Sequence, residues 1–364
     1  MNKLSKIHPA GNAICFAADD SYFKYLYVTI QSLVKNADSQ KIYDIVVLSN
    51  GISDYGRNHI LKLVSDSISI RFIDMGEIFS EDFAKQFFIS GHVSLATYFR
   101  FFIPTLFEDY SKVAYLDCDM IIDSDIADIF EVDMQDNLLG VVNDVFFKVF
   151  DSHFKDLTSY IRNELRMDPD LYFNAGVILY NIPSVISFDL QNKCFERLKQ
   201  IKNPRFHDQD ILNSVTAGRN IFLPVEWNIQ WHMAFEYKGK EKEVRQIPYY
   251  DAYYEAMPKA RIVHYTTHRK PWAYPSLELA EIWWSYARST PFYEAFLESA
   301  FLGEKLDQRL AAIAPGKLGI KARLLFWKAL AALFPGSLGK KCKRKAEAEK
   351  ARLRYVRNIQ KTVR

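Results

Sequence analysis

Only four cysteines occur in the 364 residues, Cys15, Cys118, Cys194 and Cys342, and no two stand in C-x-x-C spacing. Neither a zinc knuckle nor a disulfide scaffold is indicated, and a reducing compartment is expected. Glycine-rich loops are missing as well. No G-x-G-x-x-G follows the first apolar run, where A-A-D-D-S-Y stands instead, so a dinucleotide-binding dehydrogenase loop is absent. No apolar run reaches the roughly 18 residues of a membrane-spanning helix. The opening M-N-K-L-S-K-I-H-P-A has no apolar core of signal-peptide length. The expectation is a chain that neither spans a membrane nor enters the secretory route. No internal repeat is visible.

What is present suits a folded enzyme. Apolar residues make up 49% and charged residues 25%, the balance that a large buried core requires, and nothing in the bulk reads as disordered. The length fits one main catalytic domain with an appendage. The net charge of +3 conceals a split near Pro315. From there to Arg364 stand 15 Lys or Arg and two acids, so a basic tail follows an acidic body. Such asymmetry points to an anionic partner for the tail, either nucleic acid or a phospholipid surface.

Ala13 to Ala18 is a continuous apolar run ending in Asp19-Asp20, the pattern of a buried strand entering a polar loop. Apolar residues at Tyr22, Tyr25, Leu26, Ile30 and Leu33 predict a helix over 22–35. Ile42 to Leu48 reads as a second strand, Ser53 as the cap of a helix through Val64, and Ile68 to Ile73 as a third strand. This β-α-β-α-β order marks a parallel sheet. Lys112 to Leu116 runs into D-C-D-M, Leu138 to Val142 runs into Asn143-Asp144, and Gly176 to Tyr180 follows F-N-A. Helices are expected at 185–201 and 209–217. Residues 226–275, rich in Trp, Tyr and His, read as a loop-dominated lid or acceptor surface.

Ligands of open α/β sheets gather at strand carboxyl ends, which singles out Asp117-Cys118-Asp119. Two carboxylates at a strand end can reach one hard divalent cation, which prefers oxygen ligands and can also hold a diphosphate. Alone, two acids at a strand end are more often solvated loop residues. Ile262-Val263 reads as a further strand presenting His264 to the same crevice. An imidazole beside two carboxylates suits Mn²⁺, and Lys270 can neutralise a phosphate. Asp19-Asp20-Ser21-Tyr22 offers acceptors for a base or ribose and an aromatic face, or else a plain helix N-cap.

Six motifs stand in the order found in glycosyltransferase family 8: F-A-A-D-D-S-Y (Phe16 to Tyr22), H-V-S-L-A-T-Y-F-R (His92 to Arg100), Y-L-D-C-D-M (Tyr115 to Met120), Y-F-N-A-G-V (Tyr172 to Val177), D-Q-D-I-L-N (Asp208 to Asn213) and H-Y-T-T-H-R-K-P-W (His264 to Trp272). Over about residues 12 to 285 the chain resembles that family, and within it the bacterial lipopolysaccharide and lipooligosaccharide α-galactosyl- and α-glucosyltransferases. The resemblance implies an α/β fold of GT-A type. Its single Rossmann-like domain, with a mixed, mostly parallel sheet, spans residues 1–285. A helical region over 286–364 follows, whose basic tail is 315–364.

The same resemblance implies Asp117, Asp119 and His264 as ligands of Mn²⁺, with Mg²⁺ as the other option. It implies Ala18, Asp19, Ser21, Tyr22 and Cys118 around the nucleotide, and Thr267 and Lys270 at the diphosphate. Arg100, Asn174, Asp208 and Gln209 would surround the donor sugar, and Asp144 would sit on the donor or acceptor side. Where Ser21 and Thr267 stand, family members often carry Asn and Gly.

The reaction implied is retaining transfer of a hexose from UDP-galactose or UDP-glucose to a saccharide, with a lipopolysaccharide core as acceptor. Gln209 occupies the position under the sugar's reactive face. A neutral amide is a poor nucleophile, which favours same-face attack over double displacement. The tail, with K-A-R-L-L-F-W-K-A-L-A-A-L-F (Lys321 to Phe334) followed by K-K-C-K-R-K, pairs basic residues with aromatics. This combination fits docking on an anionic bilayer, hence a cytoplasmic protein peripheral to the inner face of a bacterial inner membrane, with no nucleic-acid partner. The rivals are a sugar-phosphate nucleotidyltransferase and a nucleic-acid-binding protein using the tail.

Overall fold

A computed structural model describes residues 4–8, 11–76, 78, 87, 94–149, 155–201, 203–230, 247–266 and 269–300, with 324–329, 332, 343, 345–347 and 350. Thr267, Cys342 and most of the basic tail lie outside the described residues.

The strands are β1 (Asn12–Asp19), β2 (Tyr43–Asn50), β3 (Ile68–Asp74), β4 (Lys112–Leu116), β5 (Met120–Ile122), β6 (Leu139–Asn143), β7 (Phe173–Asn181), β8 (Asn220–Phe222), β9 (Ile229–Gln230) and β10 (Ile262–His264). Seven form one sheet in the order β3-β2-β1-β4-β7-β6-β8. β7 runs antiparallel to both neighbours, and every other pairing in this sheet is parallel. The sheet is thus mixed and mostly parallel. β1 and β2 are apolar on both faces because helices cover both, as parallel strands require. Ile14, Cys15, Phe16, Ile45, Val46 and Val47 are wholly buried.

Reversing β7 has a direct effect on the site. Its amino-terminal residues, not its carboxyl end, lie beside the carboxyl ends of β4 and β6. Asp117 N donates to Gly176 O at 2.9 Å, and Asn143 pairs with Phe173. The motif F-N-A therefore lies inside the strand rather than before it, which corrects the expectation of a strand beginning at Gly176. Pairing with β6 also slips within this stretch, from Val141 opposite Ile178 to Val142 opposite Asn174. The apolar pattern breaks at this bulge.

A second small sheet, β5-β10-β9, carries the other half of the site. β10 runs antiparallel to β5 with His264 opposite Met120, so the histidine falls beside Asp119. Tyr265 N donates to Asp119 O at 3.0 Å. On the flank of β5 away from β10, side chains of the helix Phe23–Asn36 supply the missing partners. Thr29 Oγ1 donates to Cys118 O at 2.8 Å and Met120 O at 2.9 Å. Ser32 Oγ accepts from Ile122 N at 3.0 Å, and Asn36 Nδ2 donates to Ile122 O at 2.9 Å. Thr29, Ser32 and Asn36 of this helix thus stand in for a strand.

Two further expectations change. The single helix over 185–201 is two, Ile182–Ser187 and Leu190–Gln200, broken where Asp189 takes φ +60°. The stretch 226–275 contains the helix Ile247–Ala256 besides β9 and β10, so it is less loop-like than its composition implies. Tyr250, Tyr253 and Ala256 of that helix bury against Val145 and Ile229. Residues 231–246 lie outside the described residues.

By contact the chain forms two compact units, one of Met1–Ile89, Ser94–Pro271 and Ser276–Tyr293, the other of Ser90–Val93, Trp272–Pro275 and Glu294–Arg364. Within the second, residues 324–329 are helical, Leu325 is 67% exposed, and Lys345 Nζ lies 4.6 Å from the centre of the Trp327 ring. Among the described residues no helix is long and apolar enough to cross a membrane.

Candidate active site

Asp117 and Asp119 follow β4 and flank Cys118, whose thiol points away and donates to Ala17 O at 3.2 Å. Burial first, then Asp117 and Asp119, push that thiol well above its usual range, so Cys118 faces the site with its backbone alone. The side chains of Asp117, Asp119 and His264 converge, with their ligand atoms within 4.8 Å of one another. His264 Nε2 lies 3.3 Å from Asp119 Oδ1 and 3.8 Å from Asp117 Oδ2.

Lys270 Nζ donates to Asp119 Oδ2 and, at 2.6 Å, to Tyr265 O. Burial alone would raise the Asp119 pKa. Lys270 more than offsets this and holds it well below the carboxylate range. Asp119 Oδ1 is buried without a hydrogen-bond partner, a costly state for an ionised oxygen. Two carboxylates and an imidazole around such an orphaned atom fit a divalent cation taking mixed O and N ligands.

The loop after β1 supplies a second group. Asp19 Oδ1 accepts from Ser21 N at 3.0 Å and Ser21 Oγ at 2.6 Å, while Asp20 Oδ1 accepts from Ser53 N at 2.9 Å and Ser53 Oγ at 2.7 Å. Ser53 itself caps the helix Asp54–Ile60, as expected from the sequence. Asp20 therefore ties two loops together. Neither acid caps the next helix, whose N-cap position is Tyr22 and carries no side-chain capping bond. The Tyr22 hydroxyl is pushed well above its usual range by burial and then by Asp119. Ala18 is buried at the end of β1.

Arg100, in the short helix Leu95–Phe102, is buried. Its Nε lies 2.8 Å from Asp208 Oδ2 and its Nη2 3.0 Å from Asp117 Oδ1, and its Nη1 donates to Ala175 O. Burial opposes its charge, but Asp208, Tyr115 and Asp117 outweigh that and keep Arg100 ionised. Thr97 Oγ1 donates to Asp208. Burial nonetheless pushes Asp208 up to about 6, against the lowering pull of Arg100.

Beside this pair, Gln209 Oε1 accepts from Ala175 N at 3.0 Å, and Gln209 Nε2 donates to Asp144 Oδ2 at 3.2 Å. Asn174 Nδ2 reaches Asp144 Oδ2 at 3.3 Å. Burial raises the Asp144 pKa, partly countered by these two amides.

The sequence-derived residues Asp117, Asp119, His264, Lys270, Arg100, Asn174, Asp208, Gln209 and Asp144 are thus linked in one polar network. Thr97, Tyr172 and Asp210 stand in the quoted motifs without having been given a place at the site, and Asn228 lies outside all of them. Thr97 and Tyr172 bond to Asp208 and Gln209. Asp210 binds the Tyr160 and Tyr172 hydroxyls at 2.8 and 2.6 Å. Asn228 bridges Asn174 and His264, donating to Asn174 Oδ1 at 3.0 Å and facing His264 Nδ1 at 3.0 Å. For Asn228 the one available signal was Gly176, since a glycine inside an apolar strand marks close approach.

Residues 13–275 match the family Glycosyl transferase family 8. Glycosyltransferase GlyE of Streptococcus pneumoniae serotype 4 is 27% identical over 281 residues, covering 76% of this chain and 60% of that protein. General stress protein A of Bacillus subtilis is 24% identical over 265 residues, covering 71% and 86%. The chain thus spans three-fifths of the length of the first relative. Among solved structures, the galactosyltransferase LgtC in complex with donor and acceptor sugar analogs is 26% identical, with TM-score 0.63, covering 77% of this chain and 96% of that one. The bifunctional glycosyltransferase WbbM is 26% identical, with TM-score 0.71, covering 82% and 53%.

Proposed function

The chain belongs to glycosyl transferase family 8, and from that premise we propose that it moves galactose or glucose from a UDP-sugar to a saccharide acceptor with retention at the anomeric carbon, forming an α-linkage. The observation that carries this reading is the Asp117, Asp119 and His264 cluster, with Asp119 Oδ1 orphaned and Lys270 bound to the other oxygen. These three residues would hold Mn²⁺. A divalent cation there supplies Lewis-acid stabilisation of a departing diphosphate. Lys270 would add a point charge to the same group. Asp19, Ser21 and Tyr22 would bind the nucleoside, with Ala18 and the Cys118 backbone lining its site and Thr267 at the diphosphate. Arg100, Asp208, Asn174 and Gln209 would hold the sugar.

The hydrogen bonds support same-face attack. The Gln209 oxygen accepts from Ala175 N at 3.0 Å and faces Asn174 Nδ2 at 3.4 Å, and its nitrogen donates to Asp144, so the amide is already engaged with protein groups, which suits a positioning role better than a nucleophilic one. Both oxygens of Asp210 are occupied by tyrosine hydroxyls, and Phe206 N adds a third donor at 2.8 Å. A covalent glycosyl adduct trapped on either residue would overturn the same-face route.

The acceptor we propose is a lipopolysaccharide core, reached from the cytoplasmic face of the inner membrane with help from residues 315–364. The split of the chain into a catalytic region over 1–285 and a helical region over 286–364 belongs to the same proposal. Deleting 317–364 is expected to release the protein from anionic liposomes. Family membership disfavours a nucleotidyltransferase or a nucleic-acid-binding role. The deciding experiment incubates the protein with Mn²⁺ and a panel of UDP-sugars and follows UDP release with and without chelator, beside Asp119→Ala. Chelator-sensitive hydrolysis of one donor, lost in the variant, supports the reading. Hydrolysis of none, with no UDP binding by calorimetry, removes it.

A further inference from the structure

We infer that Asn228 is a positioning residue that fixes the tautomer of His264, so that Nε2 presents its lone pair to the cation before any cation arrives. The inference rests on the metal reading above and deepens it. It starts from backbone donors whose polarity is not open to choice. Gly176 N can only donate, so the Asn174 atom 3.1 Å from it is Oδ1. Ala175 N fixes Gln209 Oε1 in the same way. With Oδ1 of Asn174 assigned, its Nδ2 faces two acceptors, Asp144 Oδ2 at 3.3 Å and Gln209 Oε1 at 3.4 Å, which is self-consistent.

The Asn228 atom 3.0 Å from Asn174 Oδ1 must then be a donor, Nδ2. Its other atom, Oδ1, is therefore the one 3.0 Å from His264 Nδ1. An amide oxygen only accepts, so Nδ1 carries the proton. In neutral imidazole the remaining nitrogen, Nε2, is then unprotonated, and it is the one aimed at Asp119 and Asp117. Two backbone N–H groups thus pin the amides of Asn174, Gln209 and Asn228 and, through them, the Nδ1 proton of His264.

The ring is also seated by shape. A Cβ on Gly176 would stand 2.3 Å from His264 Cε1 and 2.8 Å from Nδ1, so the imidazole lies flush on the β7 backbone, where only glycine leaves room. Asn228 and His264 are both buried, Asn228 wholly so. An outer partner that sets tautomer and ring orientation typically changes metal affinity by about 10- to 100-fold when removed.

The test uses the full-length protein and two readouts. Long-range ¹H–¹⁵N spectra of ¹⁵N-histidine-labelled, metal-free protein at mildly alkaline pH, with the ring signals assigned by their loss in His264→Gln, are expected to show the proton on Nδ1. A proton on Nε2 overturns the inference. Second, Mn²⁺ affinity is measured from free-ion electron paramagnetic resonance. Asn228→Leu is expected to weaken binding about 10- to 100-fold, whereas Asn228→Asp, which keeps an acceptor for Nδ1–H but gives up the donor to Asn174 Oδ1, is expected to lose clearly less. Parent-like binding by Asn228→Leu, or equal loss in both variants, would mean that Asn228 is only a packing residue. If the unaltered protein binds no Mn²⁺, the metal reading itself falls, and the metal-free spectra decide the tautomer on their own.

Discussion

Lys270 binds one oxygen of Asp119 and leaves the other, Oδ1, buried and unsatisfied. A lysine and a divalent cation would share this carboxylate rather than compete for one atom, and that gives an expectation with opposite signs for two ligands. In Lys270→Met, UDP affinity falls roughly tenfold through loss of the point charge, while Mn²⁺ affinity without nucleotide holds or rises. The metal-free variant melts earlier, because a buried carboxylate that loses its partner costs about 3 to 5 kcal/mol, and saturating Mn²⁺ restores part of the loss. Calorimetry and thermal melts check this; parallel weakening of both ligands would refute it.

Gly176→Ala tests the seat of the imidazole. With a Cβ 2.3 Å from His264 Cε1, the ring must move or tilt. The expected result is Mn²⁺ binding weakened by more than about tenfold in a protein whose circular dichroism still matches the parent. Unchanged affinity would mean that the ring yields without leaving the cluster.

The Asp208 carboxyl is raised to about 6 from the model-peptide value of 3.8. A raised folded-state value means that this group's favourable contribution is complete below about pH 4 and is lost as pH rises through about 6. For a shift of this size the loss is on the order of 3 kcal/mol. Carbon-detected NMR of labelled aspartate, assigned with Asp208→Asn, should give a midpoint near 6, and donor binding should weaken below it as the Arg100 partner loses its charge. A midpoint under 4 discards the expectation.

Gln209→Glu keeps an oxygen on Ala175 N but sets a second one where Nε2 now donates to Asp144 Oδ2 at 3.2 Å. Two carboxylates at that distance cannot both be ionised. Turnover of the UDP-sugar should drop by about 10², with Mn²⁺ affinity unchanged, since Gln209 does not touch the cation cluster. Wild-type turnover in this variant would remove Gln209 from the sugar's surroundings.

Ser21→Ala removes both the 2.6 Å hydroxyl bond to Asp19 Oδ1 and its orienting effect. A loss of about 1 kcal/mol, about fivefold in UDP affinity, is expected. Titration calorimetry with UDP and Mn²⁺ reads it directly, and no change would place Asp19 outside the nucleoside site.

The strands β1, β2 and β4 were legible because strands buried on both faces read as apolar runs, β3 because buried Ile68 and Ile70 alternate with half-buried Ser69 and Arg71, and Ser53 because capping is local. β7 was misread at its start because Asn174 and Gly176 interrupt the run just where the strand bulges. The break at Asp189 leaves no trace in a helical period. Metal-competent residues could be proposed because acids at one strand end, a histidine at the end of another and the ordered motifs agreed, although each alone has an ordinary structural reason to be there. Asn228 had no such mark: one amide before a two-residue strand becomes meaningful only once β9, β7 and β10 are brought together.

Thr29, Ser32 and Asn36 hold the backbone from Cys118 to Ile122 from one side while β10 holds β5 from the other. The carboxylate-bearing segment is thereby clamped like a fixed jaw. Any opening that admits a nucleotide must come from parts other than this jaw, and amide hydrogen exchange at Met120 to Ile122 should stay among the slowest in the protein whether or not the site is filled.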